Sequence, residues 1–287
     1  MRILFIGDIV GPPGVEIVRR AVPLLVARER LDCVIANAEN AHNGTGLTAS
    51  LYRKLRASGV DLITLGDHIY KKAEIIPTLQ AEERICKAAN FPPEAPGREF
   101  AFGTARDGTP VAVVSLLGRT FMRAVDCPFH AVDRVLPRLE GKARVVVVDV
   151  HAEATADKYL LGHHLKGRVS AVLGTHTHVQ TADEQILPGG TAFLCDAGMT
   201  GPYESILGRR IDRVLPTTIT FIPSPFDVAT GDPRLAGAIV EVEAETGRAT
   251  AIRRVMIDEA AVAALHPDTP ACGPAKEVAS PQAANDR

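Results

Sequence analysis

Short runs of apolar, largely β-branched residues recur along the chain at Ile3–Ile6, Cys33–Ala36, Leu62–Leu65, Val111–Leu116, Val145–Val150 and Val169–Leu173. Each is bounded by polar or glycine-rich segments and predicts a short buried strand. Between several of them the period becomes helical. Val15, Val18, Val22, Leu25 and Val26 share one face of a helix predicted over Val15–Arg30, which Pro23 would kink or shorten. Thr48 is placed to cap a helix over Ala49–Ala57 that Gly59 stops, and Ala152–Leu165 predicts another. This alternation gives an α/β class, a sheet covered on both faces. Later, Thr217–Ile222 and Ala238–Val242 read as strands without helices between them. A turn over Glu243–Arg248 leads into Ala249–Ile257, predicting an antiparallel hairpin that completes a mixed sheet or sandwich. From His266 the periodicity stops and Pro and Ala rise, so residues 1–265 are expected to form one domain and 266–287 a disordered tail.

With 46% hydrophobic and 23% charged residues in a 287-residue chain, an ample core is available. A formal net charge of −2 argues against a long nucleic acid as main partner, but leaves room for a small nucleotide in a local pocket. Cys33, Cys86, Cys127, Cys195 and Cys272 are odd in number and scattered, with no C-x-x-C pair. A disulfide framework or cysteine-rich zinc site is not expected, and Cys33 and Cys195 read as buried thiols. Met1–Ile6 enters a strand directly, no apolar run reaches membrane-spanning length, and a cytoplasmic location is the expectation.

Residues able to hold metals follow the predicted strands. Asp8 follows the first, Glu39-Asn40 the second, Asp67-His68 the third, His151 ends Val145–Val150, and His176 and His178 follow Val169–Leu173. In open α/β sheets ligands bind beyond the carboxyl ends of strands. Asp8 alone would read as a helix cap, and His151 alone as a satisfied core histidine. His176 and His178, at i and i+2 on an extended segment, would point to the same side, as chelation requires. His163-His164 reads as a solvated helix surface, and Lys71-Lys72 and Arg209-Arg210 as solvated faces. Gly7–Gly14 lacks the dinucleotide glycine spacing and carries an acid in its turn, and there is no G-x-S-x-G elbow. Asp8, Glu39, Asn40, Asp67, His151, His176 and His178 are too many for one tetrahedral zinc. Their mixed donors suit two ions such as iron or manganese, with Glu39 central enough to bridge.

The order Gly7-Asp8, Glu39-Asn40, Gly66-Asp67-His68, His151 and Gly174-Thr-His-Thr-His178 resembles the calcineurin-like metallophosphoesterases, and more closely their bacterial YmdB-type branch. Asn90-Phe-Pro-Pro93, His151-Ala-Glu-Ala-Thr155, Pro188-Gly-Gly-Thr191 and Gly198-Met-Thr-Gly-Pro202 extend the resemblance over roughly residues 1–260. It implies a metallophosphoesterase-type sandwich of mixed sheets flanked by helices and a phosphodiesterase acting on 2′,3′-cyclic nucleotides or similar small phosphodiesters. It assigns Asp8, Glu39, Asn40 and His178 to one ion, Glu39, Asp67, His151 and His176 to the other, and a catalytic role to His68. Attack by a metal-bridging hydroxide, with His68 protonating the leaving oxygen, is the expected mechanism. The chain departs from the branch at Asp67, where asparagine is usual; the added charge should tighten metal binding and could blunt its Lewis acidity. A phosphomonoesterase on the same site and a low-turnover regulatory protein binding nucleotides or partners are the alternatives. A homo-oligomer is also expected.

Overall fold

In the computed structural model, which describes residues 1–265, thirteen strands form two sheets. In the first, β1 (Arg2–Ile6) lies between β3 (Cys33–Asn37), parallel to it, and β12 (Pro233–Val242), antiparallel to it. β4 (Leu62–Thr64) extends one edge; β11 (Met199–Pro202) and the short β2 (Asp8–Ile9) extend the other, and β13 (Ala249–Asp258) pairs with β12. The second sheet runs in the order β5 (Ala101–Thr104), β6 (Pro110–Leu117), β7 (Val145–His151), β8 (Ala171–Thr175), β10 (Thr191–Leu194) and β9 (Gln185–Leu187), with β6, β7, β8 and β10 parallel.

Strand periodicity explains how the sheets stack. Ile3 and Phe5 of β1, Val111 and Val113 of β6, and Val145 and Val147 of β7 fill the layer between the sheets. Their neighbours turn outward: Leu4 and Ile6 share a cluster with α1 (Gly11–Glu29) and Leu79 of α3 (Ile76–Ala81), and Val146, Val148 and Val150 share one with α4 (Pro128–Val135) and α5 (Thr155–Leu165). Because every central strand is buried on both faces, the sequence shows continuous apolar runs rather than alternation. The mixed-sheet sandwich flanked by helices is thus the observed fold.

Local expectations fare unevenly. The Thr48 hydroxyl accepts from Leu51 N at 3.2 Å and starts α2 (Ala49–Ala57) as expected. Helix α1 begins four residues earlier than periodicity suggested, at Gly11 with prolines in its first turn. It passes through Pro23, whose exposed position lets water serve the freed carbonyl. The other predicted helix start also moves, from Ala152 to Thr155. The β12–β13 hairpin is present. Thr217–Ile222 is not a strand. Its first four residues end a helix, α6 (Ile211–Thr220), and Phe221 caps it in the left-handed region. The threonine hydroxyls, which suggested a strand, bond back along the helix: Thr217 to Arg213 O at 2.9 Å and Thr220 to Pro216 O at 2.7 Å. The expected tail and Cys272 lie outside the described residues. Cys33 and Cys195 are buried free thiols. No helix among the described residues is long and apolar enough to cross a membrane.

Candidate metal centre

The carboxyl ends of both sheets open onto one cleft. From the first sheet come Asp8 after β1, Glu39-Asn40 after β3 and Asp67-His68 after β4; from the second come His151 at the end of β7 and His176 and His178 after β8. His151 Nε2 lies 3.2 Å from both Glu39 Oε1 and Asp67 Oδ1, and 3.0 Å from His176 Nδ1. One ligand atom from each of Glu39, Asp67, His151 and His176 lies within 4.8 Å of all the others. Alongside, His178 Nε2 stands 3.9 Å from Asp8 Oδ1 and 3.4 Å from Asn40 Nδ2. The structure therefore brings all seven candidate ligands together. His68 joins them, its Nδ1 2.7 Å from Asn40 Oδ1 and its backbone N–H donating to Glu39 Oε2 at 3.0 Å. Asp8, Glu39 and His151 form a buried floor, and the partly exposed side chains of Asp67, His68 and His176 line the mouth. Gly66 is required beside them: a Cβ there would fall 2.3 Å from the His151 ring and 2.4 Å from Glu39 Oε2.

The geometric reason expected for the histidine pair does not hold. His176 and His178 are not extended; both adopt positive φ, 98° and 64°. Asp196 secures the loop between them, accepting from Thr177 N at 3.2 Å and Thr177 Oγ1 at 2.6 Å, while Lys158 Nζ on α5 donates to the same oxygen at 2.6 Å. Nor does Asp8 cap α1, which has no side-chain cap; its Oδ2 accepts from His176 N at 2.9 Å. Arg209 is not a solvated face. It is half-buried and donates to Asn43 O, Gly44 O and Phe226 O, tying two loops together. Arg210 pairs with Asp212 at the surface, and His164 with Asp133.

Charges in the cleft compete. Burial pushes Asp8 up to about 6, with His178 and His151 opposing the rise. Burial would also raise Glu39 and Asp67, but the neighbouring histidines together, His151 foremost, hold both below their ordinary values. Conversely, burial disfavours a charged His151, yet the Glu39 and Asp67 carboxylates hold its pKa well above the usual imidazole value. Asp8 Oδ1 is fully buried and is the one such side-chain atom without a hydrogen-bond partner among the described residues. A buried carboxylate oxygen left unpaired beside imidazole and carboxylate donors fits a metal cation.

Asp8 also yields a stability prediction. A carboxyl whose pKa rises from 3.8 to about 6 on folding holds its proton more tightly in the folded state, so folded stability falls as pH climbs through that interval. At ~1.4 kcal/mol per pH unit the cost at neutral pH is on the order of 3 kcal/mol. Chelator-stripped Asp8→Asn should therefore exceed stripped wild type in stability by about 1–3 kcal/mol at pH 7.5. The gap should close below pH ~4; urea unfolding at both pH values, showing no gap at either, would contradict this.

Several side chains that support this cleft escaped sequence reasoning. Beneath His151 lies a buried network of Asn37, Thr64, Asp149 and Thr175. Its signal was present in Val145-Val-Val-Val-Asp-Val150, where one acid interrupts an apolar strand. Glu153 Oε2 lies 3.3 Å from His176 Nε2.

Comparison with known proteins agrees with this arrangement. Residues 4–255 match the family model described as YmdB-like protein. The chain is 42% identical, over 90% of its length and 98% of the relative's, to 2′,3′-cyclic-nucleotide 2′-phosphodiesterase of Bacillus subtilis (strain 168). A solved structure of a hypothetical protein from Thermus thermophilus shares 43% identity and superposes with a TM-score of 0.83, covering 90% of this chain and 99% of that one. A phosphatase structure from Mycoplasma pneumoniae, at 26% identity, gives a TM-score of 0.83 over 90% of this chain and 93% of that one. Sequence and fold together show that the chain belongs to the YmdB-like family of metallophosphoesterases.

Proposed function

We propose that this chain, a metal-dependent phosphoric ester hydrolase, is a phosphodiesterase that opens 2′,3′-cyclic nucleotides or similar small phosphodiesters and uses two ions, iron or manganese. The observation that carries the reading is the meeting of Glu39, Asp67, His151 and His176 donor atoms within 4.8 Å, beside the unpartnered Asp8 Oδ1. The name of the Bacillus subtilis relative supports the substrate class. Asp8, Glu39, Asn40 and His178 would hold one ion; Glu39, Asp67, His151 and His176 would hold the other. When bound, the ions supply Lewis acidity, neutralising phosphoryl charge and lowering the pKa of water.

The chain's own residues do the rest. Asn40 Oδ1 accepts from His68 Nδ1 at 2.7 Å, which leaves His68 Nε2 at the mouth of the cleft. From there His68 donates a proton to the leaving ribose oxygen. Its backbone bond to Glu39 ties its position to the ligand cluster. Asp67, where the branch usually has asparagine, adds negative charge on the same side and tightens cation binding at some cost in Lewis acidity. The same reading makes residues 1–265 one domain, in a cytoplasmic homo-oligomer.

The test compares turnover of 2′,3′-cyclic AMP and p-nitrophenyl phosphate, with manganese and with chelator. Chelator-sensitive turnover favouring the cyclic nucleotide is expected. Preference for the monoester would make the chain a phosphomonoesterase, and no turnover on either would favour a binding role. His68→Ala should cut cyclic-nucleotide turnover by ~10²–10⁴-fold with metal content unchanged. Full turnover in that variant would remove His68 from the chemistry.

A further inference from the structure

We infer that Asp149, acting through Thr175, is a positioning residue that keeps a hydrogen on Nδ1 of the His151 imidazole, so that Nε2, facing the Glu39 and Asp67 carboxylates, is the nitrogen a cation would take in place of a proton. The inference rests on the metal-dependent reading above. Asp149 is wholly buried at the centre of the second sheet and is paired through its side chain to both sheets. Its Oδ2 accepts from Thr64 Oγ1 at 2.5 Å and from Asn37 Nδ2 at 3.0 Å, and its Oδ1 accepts from Thr175 Oγ1 at 2.6 Å.

A hydroxyl has one hydrogen to give. With Thr64 and Asn37 donating to one oxygen of Asp149 and Thr175 lying 2.6 Å from the other, the group is surrounded by donors as a carboxylate is, and Thr175 gives its hydrogen to it. The 2.9 Å contact between Thr175 Oγ1 and His151 Nδ1 then needs a hydrogen from the ring. Asn37 Nδ2, 3.3 Å from Nδ1, is the competing donor. Its orientation is fixed because Asn37 Oδ1 accepts from Glu39 N at 3.1 Å. One of its hydrogens goes to Asp149, and the other has Thr175 Oγ1 at 3.3 Å as acceptor. Were Nδ1 bare, two lone pairs would face each other at 2.9 Å, so the ring hydrogen sits there.

The other two imidazoles follow the same plan. His178 Nδ1 meets the Leu207 carbonyl at 3.1 Å, which can only accept, and His176 Nε2 meets Glu153. In each case the nitrogen remote from the cleft is held by an acceptor, leaving the other for a cation.

Asp149→Asn reverses the relay. The new amide oxygen would keep Thr64 and Asn37, and its NH₂ would donate to Thr175. Thr175 would then give its hydrogen to His151 Nδ1 and drive the ring hydrogen onto Nε2, into the cleft. Manganese affinity should fall about 10–100-fold. Thr175→Val, which breaks the relay without touching Asp149, should do likewise, and Thr175→Ser should restore most of the affinity. In ¹⁵N-histidine-labelled, zinc-loaded protein, the wild-type His151 signal should show hydrogen on Nδ1 and zinc on Nε2, a signature lost in Asp149→Asn. Manganese affinity less than tenfold weakened in the foldable members of the Asp149→Asn and Thr175→Val pair would overturn the inference, as would an unchanged His151 signature. If wild type itself bound neither manganese nor zinc, the metal reading beneath the inference would be what failed.

Discussion

Glu39→Gln is expected to abolish turnover, by about 10³-fold or more, and to release at least half of the bound metal while the fold persists. The proposed bridge role asks one carboxylate to serve both ions. Oε1 is 3.2 Å from His151 Nε2 and 3.0 Å from Asn40 Nδ2, and Oε2 accepts the His68 amide at 3.0 Å. Loss of one Lewis-acid site removes several kcal/mol of transition-state stabilisation, and each ~1.4 kcal/mol is a factor of ten in rate. Glutamine preserves the volume and one acceptor oxygen, so the buried floor should stay packed. Alanine should be worse, because it also strands His151 against a void and removes the acceptor for His68 N. Metal content by elemental analysis, with unfolding and turnover measured on the same samples, decides the matter. Glu39→Gln with full metal content and more than a tenth of wild-type turnover would exclude the bridge.

The fold and much of the cleft were legible because they rest on periodicity and on breaks in it. Ile3–Ile6 and Val145–Val148 are buried on both faces, so their hydrophobicity is uninterrupted and strands are the simplest reading. Asp8, Glu39, Asp67 and His151 stand where those runs stop, and an α/β sheet gathers such ends at one edge. What stayed hidden depends on partners distant in sequence. Asp149 means little alone; its role comes from Thr64, Asn37 and Thr175 on three other strands. The left-handed turns at His176 and His178 are held by Asp196 and by the Leu207 carbonyl. Arg209 shows the same limit, since the carbonyls it binds lie on separate loops. Thr217–Ile222 failed for a local reason: β-branched residues favour strands only when a neighbouring strand and a packed face exist, and no residue of α6 is buried.

Lys158→Met should destabilise the protein by about 3–5 kcal/mol, lowering Tm by roughly 10 °C, although Lys158 touches none of the candidate ligands. Lys158 and Asp196 are each 1% exposed and their charges meet at 2.6 Å. Removing the ammonium leaves the Asp196 carboxylate buried with only the donors of Thr177 and Gly198, and an unpaired buried charge costs far more than the pair itself contributes. Asp196 is also what holds the loop between His176 and His178, so metal affinity should drop together with stability. The two effects have one origin if the double variant Lys158→Met/Asp196→Asn recovers a measurable part of the lost stability, since a neutral amide oxygen can still accept from Thr177 without carrying a buried charge, while its NH₂ forgoes the bond from Gly198 N–H. Thermal and urea unfolding of the single and double variants measure this directly. A single variant within 2 °C of wild type would mean that water or the neighbouring donors already neutralise Asp196, and that the histidine loop is held by its backbone alone.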